Sequence, residues 1–244
     1  MKWTDWKSTY GQIVKDFSLD MEREVSAADA AARASRNDNC LKGNDALEEL
    51  GRRIRRVCIV CGNSRGLEQD VRKLLACGAI DDSTVIAADA AGPRIGRLGM
   101  VPDVIVTDMD GEPEAEMEQN RKGSLLLLHF HGDNLERMSG ISGRLGGRFV
   151  STVQCQPPEG VFNFGGFTDG DRAVLLAEEF GARCIVLAGF DFGRPFEYGQ
   201  EGEIKLRKLK WAESIIQGAR SRGVTICDVR EYALLMETSK KVNA

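Results

Sequence analysis

From Val57 onward, short apolar and often β-branched runs alternate with stretches in which apolar residues recur every three or four positions. The short runs are Val57–Cys61, Thr84–Ala88, Val104–Val106, Ser124–His129, Phe149–Gln154, Cys184–Ala188 and Val224–Cys227. Between them lie helical patterns such as Leu67, Val71, Leu74 and Leu75, a short turn of helix over Arg94–Met100, and an acidic helix over Glu112–Arg121. Helical periodicity returns after Asp171, over about Glu203–Ser221 and over Glu231–Glu237. Runs apolar throughout suit strands buried on both faces, and strand–helix alternation implies a parallel sheet. The expected fold is α/β, a Rossmann-like, mostly parallel sheet flanked by helices.

The first 55 residues have a different texture. Trp3, Trp6, Tyr10, Ile13, Val14 and Phe17 recur at helical spacing, Met21–Ala34 is an Ala-rich helix, and Asn44 is placed to cap a third. Residues 1–55 therefore read as an N-terminal helical segment, a cap or a dimerisation element giving a possible homodimer, and 56–244 as the α/β catalytic domain. Arg52, Arg53, Arg55 and Arg56 read as a solvated helix end.

At 244 residues the chain can bury one sizeable core. A net charge of −4 supplies no overall basic field, which argues against nucleic acid or an anionic membrane as partner. The seven Cys fall largely in apolar runs and read as reduced. Cys58 and Cys61 have metal-site spacing, but alternation along a strand points them to opposite faces. No stretch reads as a signal peptide or a long apolar span, so a cytoplasmic protein is expected.

The candidate chemistry lies where the strands end. Val104–Val106 runs into Thr107-Asp108-Met109-Asp110-Gly111, two carboxylates one residue apart beside a turn. Ligands in open α/β sheets bind beyond the carboxyl ends of strands, and hard oxygen donors there suit Mg²⁺. Taken alone, Asp and Gly also simply end strands. Yet Asp89 ends the preceding strand, His129, His131, Asp133 and Asn134 follow the next, and Asp169 and Asp171 open a helix. Unpaired carboxylates gathered on one sheet edge repel unless a cation compensates. The Gly62-Asn63-Ser64-Arg65-Gly66 turn feeds a helix N-terminus that can bind an anion. Lys205, Arg207, Lys208 and Lys210, in the first turns of the long helix, need an anionic partner or solvation. The loop holding Arg194, Phe196 and Tyr198 can fold over a ligand.

The order of these motifs carries a family resemblance. Asp89-Ala90-Ala91 followed by Pro102-Asp103 and Thr107-Asp108-Met109-Asp110-Gly111 is similar to the motif pair of thiamine pyrophosphokinase catalytic domains. Closer still is the resemblance to the archaeal MptE-like 6-hydroxymethyl-7,8-dihydropterin pyrophosphokinases. It rests on Gly62-Asn63-Ser64, His129 to Asn134, Phe167 to Arg172 and Ala188 to Gly193, and covers about residues 57–230. It implies transfer of diphosphate from ATP to the hydroxymethyl group of a reduced pterin, with release of AMP. On that footing Asp108 and Asp110 are primary Mg²⁺ ligands, completed by Asp89 and Asp169, and Asp133 or Asp171 accepts the hydroxyl proton. Asn63, Ser64, Arg65, Arg172, Lys205 and Lys208 are assigned to ATP. His129, His131, Asn134, Phe167 and Asp191 are assigned to the pterin.

Two departures weigh against thiamine itself: Thr107 stands where the thiamine enzymes have Gly, and their later Gly-Gly-Arg-x-Asp-His segment is absent. The Asn63-Ser64-Arg65-Gly66 turn also lacks the Gly-Pro-Ser-Leu of many relatives. A thiamine-type enzyme on another hydroxymethyl acceptor, a glycosyltransferase using Asp108-Met109-Asp110 as its metal-binding Asp-x-Asp, and a non-catalytic nucleotide-binding module are the alternatives.

Overall fold

Apolar runs that can bury both faces pair into seven strands, all parallel, in the order β5-β4-β3-β2-β1-β6-β7 in the computed structural model. The structure describes residues 3–195 and 199–242, so Phe196 and Tyr198 of the proposed covering loop lie outside the described residues. The strands are β1 (Val57–Cys61), β2 (Thr84–Ala88), β3 (Val104–Thr107), β4 (Leu125–Phe130), β5 (Phe149–Val153), β6 (Cys184–Ala188) and β7 (Thr225–Asp228). The helices are α1 (Trp3–Phe17), α2 (Met21–Ala34), α3 (Gly43–Arg53), α4 (Leu67–Ala76), α5 (Ala91–Gly96), α6 (Pro113–Arg121) and α7 (Leu135–Met138). They continue with α8 (Asp169–Glu179), α9 (Gly199–Ser221) and α10 (Val229–Val242).

The sheet grows outward from β1 to β5, then returns to the other side of β1 for β6. Strand order reverses there, the place where α/β sheets open a crevice. Helix α8 makes the return and packs on β1, β2 and β3. Its N-terminus meets the ends of the strands that carry Asp89 and Asp108.

Four local expectations shift. Helix α3 begins at Gly43 after Lys42, which gives no side-chain cap, so Asn44 is in the first turn instead of capping it. The short helix runs over Ala91–Gly96, earlier than expected, because Pro93 fits a first turn whose N–H groups have no partner anyway. Helix α9 starts at Gly199, which moves Lys205, Arg207 and Lys208 beyond its first turn and away from the unfavourable end of the dipole. Arg53 is a tie instead of a solvated end: its Nη1 donates to the carbonyls of Asp103 at 2.7 Å and Gly123 at 2.9 Å.

The N-terminal helices share the sheet's core. Trp6, Tyr10 and Ile13 are buried with Ala27, Ala28, Ala31 and Ala34 in one apolar cluster that includes β4 and β5. Helix α2 packs on both strands. The link after it pairs with β5: the Phe149 N–H donates to Asn39 O and the Leu41 N–H to Phe149 O.

Candidate active site

Strand β2 stops at Asp89 because the backbone turns into the left-handed region there, at φ 47°. Next to it β3 ends in a turn that Thr107 builds. Its hydroxyl accepts the Met109 N–H at 2.8 Å and stands 3.3 Å from Asp89 Oδ1, to which it donates. Asp108 Oδ1 accepts the Asp110 N–H at 3.1 Å, so Met109, at φ 62°, turns inward and both flanking carboxylates turn out. Gly111 closes the turn: a Cβ there would stand 2.9 Å from Asp89 Oδ2. Asp89, Asp108 and Asp110 each bring an oxygen within 4.8 Å of the others.

Two unit charges at such a distance repel by roughly 3–4 kcal/mol at an effective dielectric near 20. Some compensation must exist. Part of it is internal. His131 Nδ1 accepts the Asp133 N–H at 3.3 Å, which leaves Nε2–H to donate to Asp108 Oδ2 at 2.9 Å. Burial works to raise the Asp108 carboxyl, but His131 and Arg137 outweigh it and hold the group below the usual range. Asp110 has only the weaker pull of Lys205. Loss of water, then the charges of Asp108 and Asp89, push it up to about 7, although its side chain reaches the surface. Asp169 is raised well above the ordinary value by burial and by Asp108. It faces the three acids from the start of α8, outside their close group, with Oδ1 3.9 Å from Arg172 Nε. A divalent cation suits this donor set of hard, crowded oxygens.

Behind the cluster, burial and the charge of Asp89 raise the Glu116 carboxyl to about 9. Glu116 is fully buried beside Thr107 and Asp89, and among the described residues neither of its oxygens has a hydrogen bond of good geometry.

The acids sit at one end of a cavity of about 670 Å³, a size suited to a ligand. Gly62, Asn63, Ser64, Gly189 and Phe190 line it at the strand-order reversal, and Lys205, Arg207 and Lys208 of α9 line another side. Helix α1 and the turn after it supply Asp16, Phe17, Ser18 and Leu19. Phe17 packs on Phe167 with ring centroids 4.9 Å apart, and Arg207 lies 4.8 Å over Phe17. Asp16 accepts from Arg207 Nη2 at 2.7 Å and from Trp211 Nε1 at 2.8 Å, joining α1 to α9. The N-terminal segment, expected as a cap or a dimerisation element, thus also supplies a wall of the site.

The family model for MptE-like 6-hydroxymethylpterin diphosphokinases matches residues 35–196. The chain belongs to that family. It is 37% identical over 236 residues to a 6-hydroxymethyl-7,8-dihydropterin pyrophosphokinase of Pyrococcus furiosus, covering 91% of this chain and 96% of the relative. A protein of the same name from Methanocaldococcus jannaschii is 33% identical over 237 residues, covering 88% and 95%. These alignments reach further than the motifs at 57–230, into the N-terminal helices. Among solved structures the chain resembles a Maf glycosyltransferase from Magnetospirillum magneticum at a TM-score of 0.48 and 14% identity. That match covers 77% of this chain and 37% of the other, and is too loose to carry an argument.

Several residues singled out in this family member do other work. Asp171 does not line the cavity and is fully buried. Its carboxylate accepts from the Phe167 and Thr168 N–H groups at 2.7 Å and from the Thr168 hydroxyl, closing a capping box at the start of α8. Asn134 is buried and spent on the backbone: Oδ1 accepts the His131 N–H at 3.0 Å and Nδ2 donates to His129 O at 2.7 Å. Neither is free to meet a substrate. Arg65 is exposed and outside the cavity lining. Asn63 lines it, but its Oδ1 accepts from Arg94 Nη1 at 2.6 Å. Asp133 and Asp191 stand exposed at the rim, and Phe167, His129 and Arg172 line the interior. Gly166, at φ 93°, allows the chain to fold back on Arg172, whose Nη1 donates to Gly166 O at 3.0 Å. Phe17, Arg137 and Gln154 are cavity-lining residues that the strand-end motifs do not reveal.

Proposed function

We propose that this chain transfers diphosphate from ATP to the hydroxymethyl group of 6-hydroxymethyl-7,8-dihydropterin, releasing AMP, with Mg²⁺ as cofactor. The observation that carries the reading is the convergence of Asp89, Asp108 and Asp110 in a cavity that the half-buried rings of Phe17 and Phe167 also line. Family membership supports the acceptor class, and the names of the relatives from Pyrococcus and Methanocaldococcus support the pterin.

Attack of the hydroxymethyl oxygen on the β-phosphorus spreads negative charge over the phosphoryl oxygens. Bound Mg²⁺ supplies the concentrated positive charge that steadies those oxygens. Asp89, Asp108 and Asp110 would hold it. His131 and Arg137 keep Asp108 ionised and aimed, and the Thr107 hydroxyl orients Asp89. Lys205 and Lys208 present cations along the cavity side for the triphosphate, and the Gly62 to Ser64 turn supplies backbone at the strand-order reversal. With Asp171 locked in its cap, Asp133 remains of the two candidates to take the hydroxyl proton, with the pterin ring lodged toward Phe17, Phe167 and His129.

The test is to incubate the protein with ATP, Mg²⁺ and the reduced pterin and to identify both products. AMP together with a pterin diphosphate is expected. ADP, or transfer from a sugar nucleotide in place of ATP, would sink the proposal, and turnover with thiamine but not pterin would redirect it.

A further inference from the structure

Two neighbouring strands present hydrogen-bond acceptors to the inner end of the cavity, and the surrounding network fixes both in that role. His129 pairs in register with Thr152 across β4 and β5. Both contacts of the Thr152 hydroxyl are hydrogen bonds in one arrangement, in which it donates to Leu128 O at 3.2 Å and accepts from His129 Nδ1–H at 3.1 Å. The proton of His129 is therefore on Nδ1, and Nε2 is a bare acceptor. This nitrogen has no hydrogen-bond partner among the described residues, although His129 is 1% exposed and lines the cavity. An orphaned polar atom so deeply buried calls for a partner that arrives from outside the chain.

Gln154 follows β5, two positions past Thr152, and also lines the cavity. Its Nε2 lies 3.0 Å from each oxygen of Glu24. A carboxylate can only accept here, which settles which way the amide faces. Glu24 is itself buried, accepting further bonds from Tyr10 Oη at 3.2 Å and the Gly132 N–H at 3.0 Å. Gln154 Oε1 is left without a donor among the described residues. The aromatic pair of Phe17 and Phe167 stands in the same cavity.

We propose that His129 Nε2 and Gln154 Oε1 form an acceptor pair that reads the N–H donors of an amino-pyrimidinone edge, with Glu24 as the positioning residue that holds Gln154. This rests on the pterin reading above and adds the residues that select within it. A pterin offers such an edge through its 2-amino group and adjacent ring N–H. Replacing the amino group by oxygen sets an acceptor against an acceptor, and rejection of such analogues is strong when buried polar groups are left unpaired.

The full chain is titrated with 6-hydroxymethylpterin and with its 2-oxo analogue, 6-hydroxymethyllumazine, following the fluorescence of each. The unmodified protein should bind the pterin at least roughly tenfold more tightly. Gln154→Leu should weaken pterin binding by about the same factor and narrow the gap between the two ligands, with the Kd for ATP unchanged. Glu24→Gln, which frees the amide of Gln154 to turn over, should shift pterin binding in the same direction and leave ATP binding alone. Equal affinity of the unmodified protein for both ligands overturns the acceptor pair while sparing the pterin reading, and it decides the matter even if Gln154→Leu does not fold. A folded Gln154→Leu protein with full discrimination overturns it too. Failure of the unmodified protein to bind either ligand overturns the pair and the pterin reading together.

Discussion

The two ends of the cavity treat charge in opposite ways. At the strand ends Asp89, Asp108 and Asp110 crowd together with Asp169 facing them from α8, and Asp110 and Asp169 are pushed toward protonation. At the inner end a buried carboxylate, Glu24, is surrounded by donors from Tyr10, Gly132 and Gln154. The first arrangement is incomplete as it stands and gains from a cation. The second is already satisfied, so it positions neutral groups without needing an ion. A site that joins a polyanion to a flat uncharged ring needs both kinds of wall.

That contrast can be broken from either side. The largest effect is expected from Asp108→Asn, which removes the carboxylate that His131 and Arg137 hold ionised. Turnover should fall by roughly 10²–10³-fold or more, with pterin binding and thermal stability near those of the unmodified protein. Retained turnover would refute the metal assignment. Phe17→Ala works from the other end. It should raise KM for the pterin by about tenfold through lost ring contact while leaving KM for ATP within a factor of about two, and equal effects on both would erase the distinction between the ends.

Glu116→Gln probes the support behind the acids through pH. The Glu116 carboxyl titrates near 9 when folded, above its ordinary value of 4.5. Its stabilising contribution is therefore full below pH 4.5 and is lost progressively as pH rises through 9. A neutral Gln does not titrate, so the variant should gain thermal stability over the parent as pH climbs, by a few °C at pH 8 in the presence of chelator. A difference that stays constant from pH 5 to 9 would count against a protonated Glu116. The smallest effect belongs to Arg207→Ala. Its pair with Asp16 is half-exposed and screened by water, so the midpoint of a denaturant titration should barely move.

The acidic end was legible in sequence and the inner end was not, for a physical reason. Asp89, Asp108 and Asp110 follow directly on apolar strand runs, so their placement is a local matter. Parallel pairing of β2 with β3 then brings them together. Glu24 and Gln154 meet across 130 positions, and nothing near either residue in the chain announces the contact. Phe17 belongs to an apolar helical stripe whose other members are core, and only its place at the helix end turns it into the cavity. Asp171 was open to a better reading. Thr168 and Asp171 have the spacing of a capping box, and that pattern identifies a carboxylate already committed to backbone N–H groups.

The pairing of residues 39–41 with β5 has a consequence for how the molecule keeps to itself. Strand β5 ends the sheet on that side, and a bare outer strand is a template on which a second copy can add its own. The Asn39 carbonyl and the Leu41 N–H occupy Phe149, the first residue of that strand. A chain trimmed back to the α/β portion would therefore lose more than a wall of its cavity. It would bare the edge beside Phe149, and clumping in solution is the defect to watch for in any shortened form.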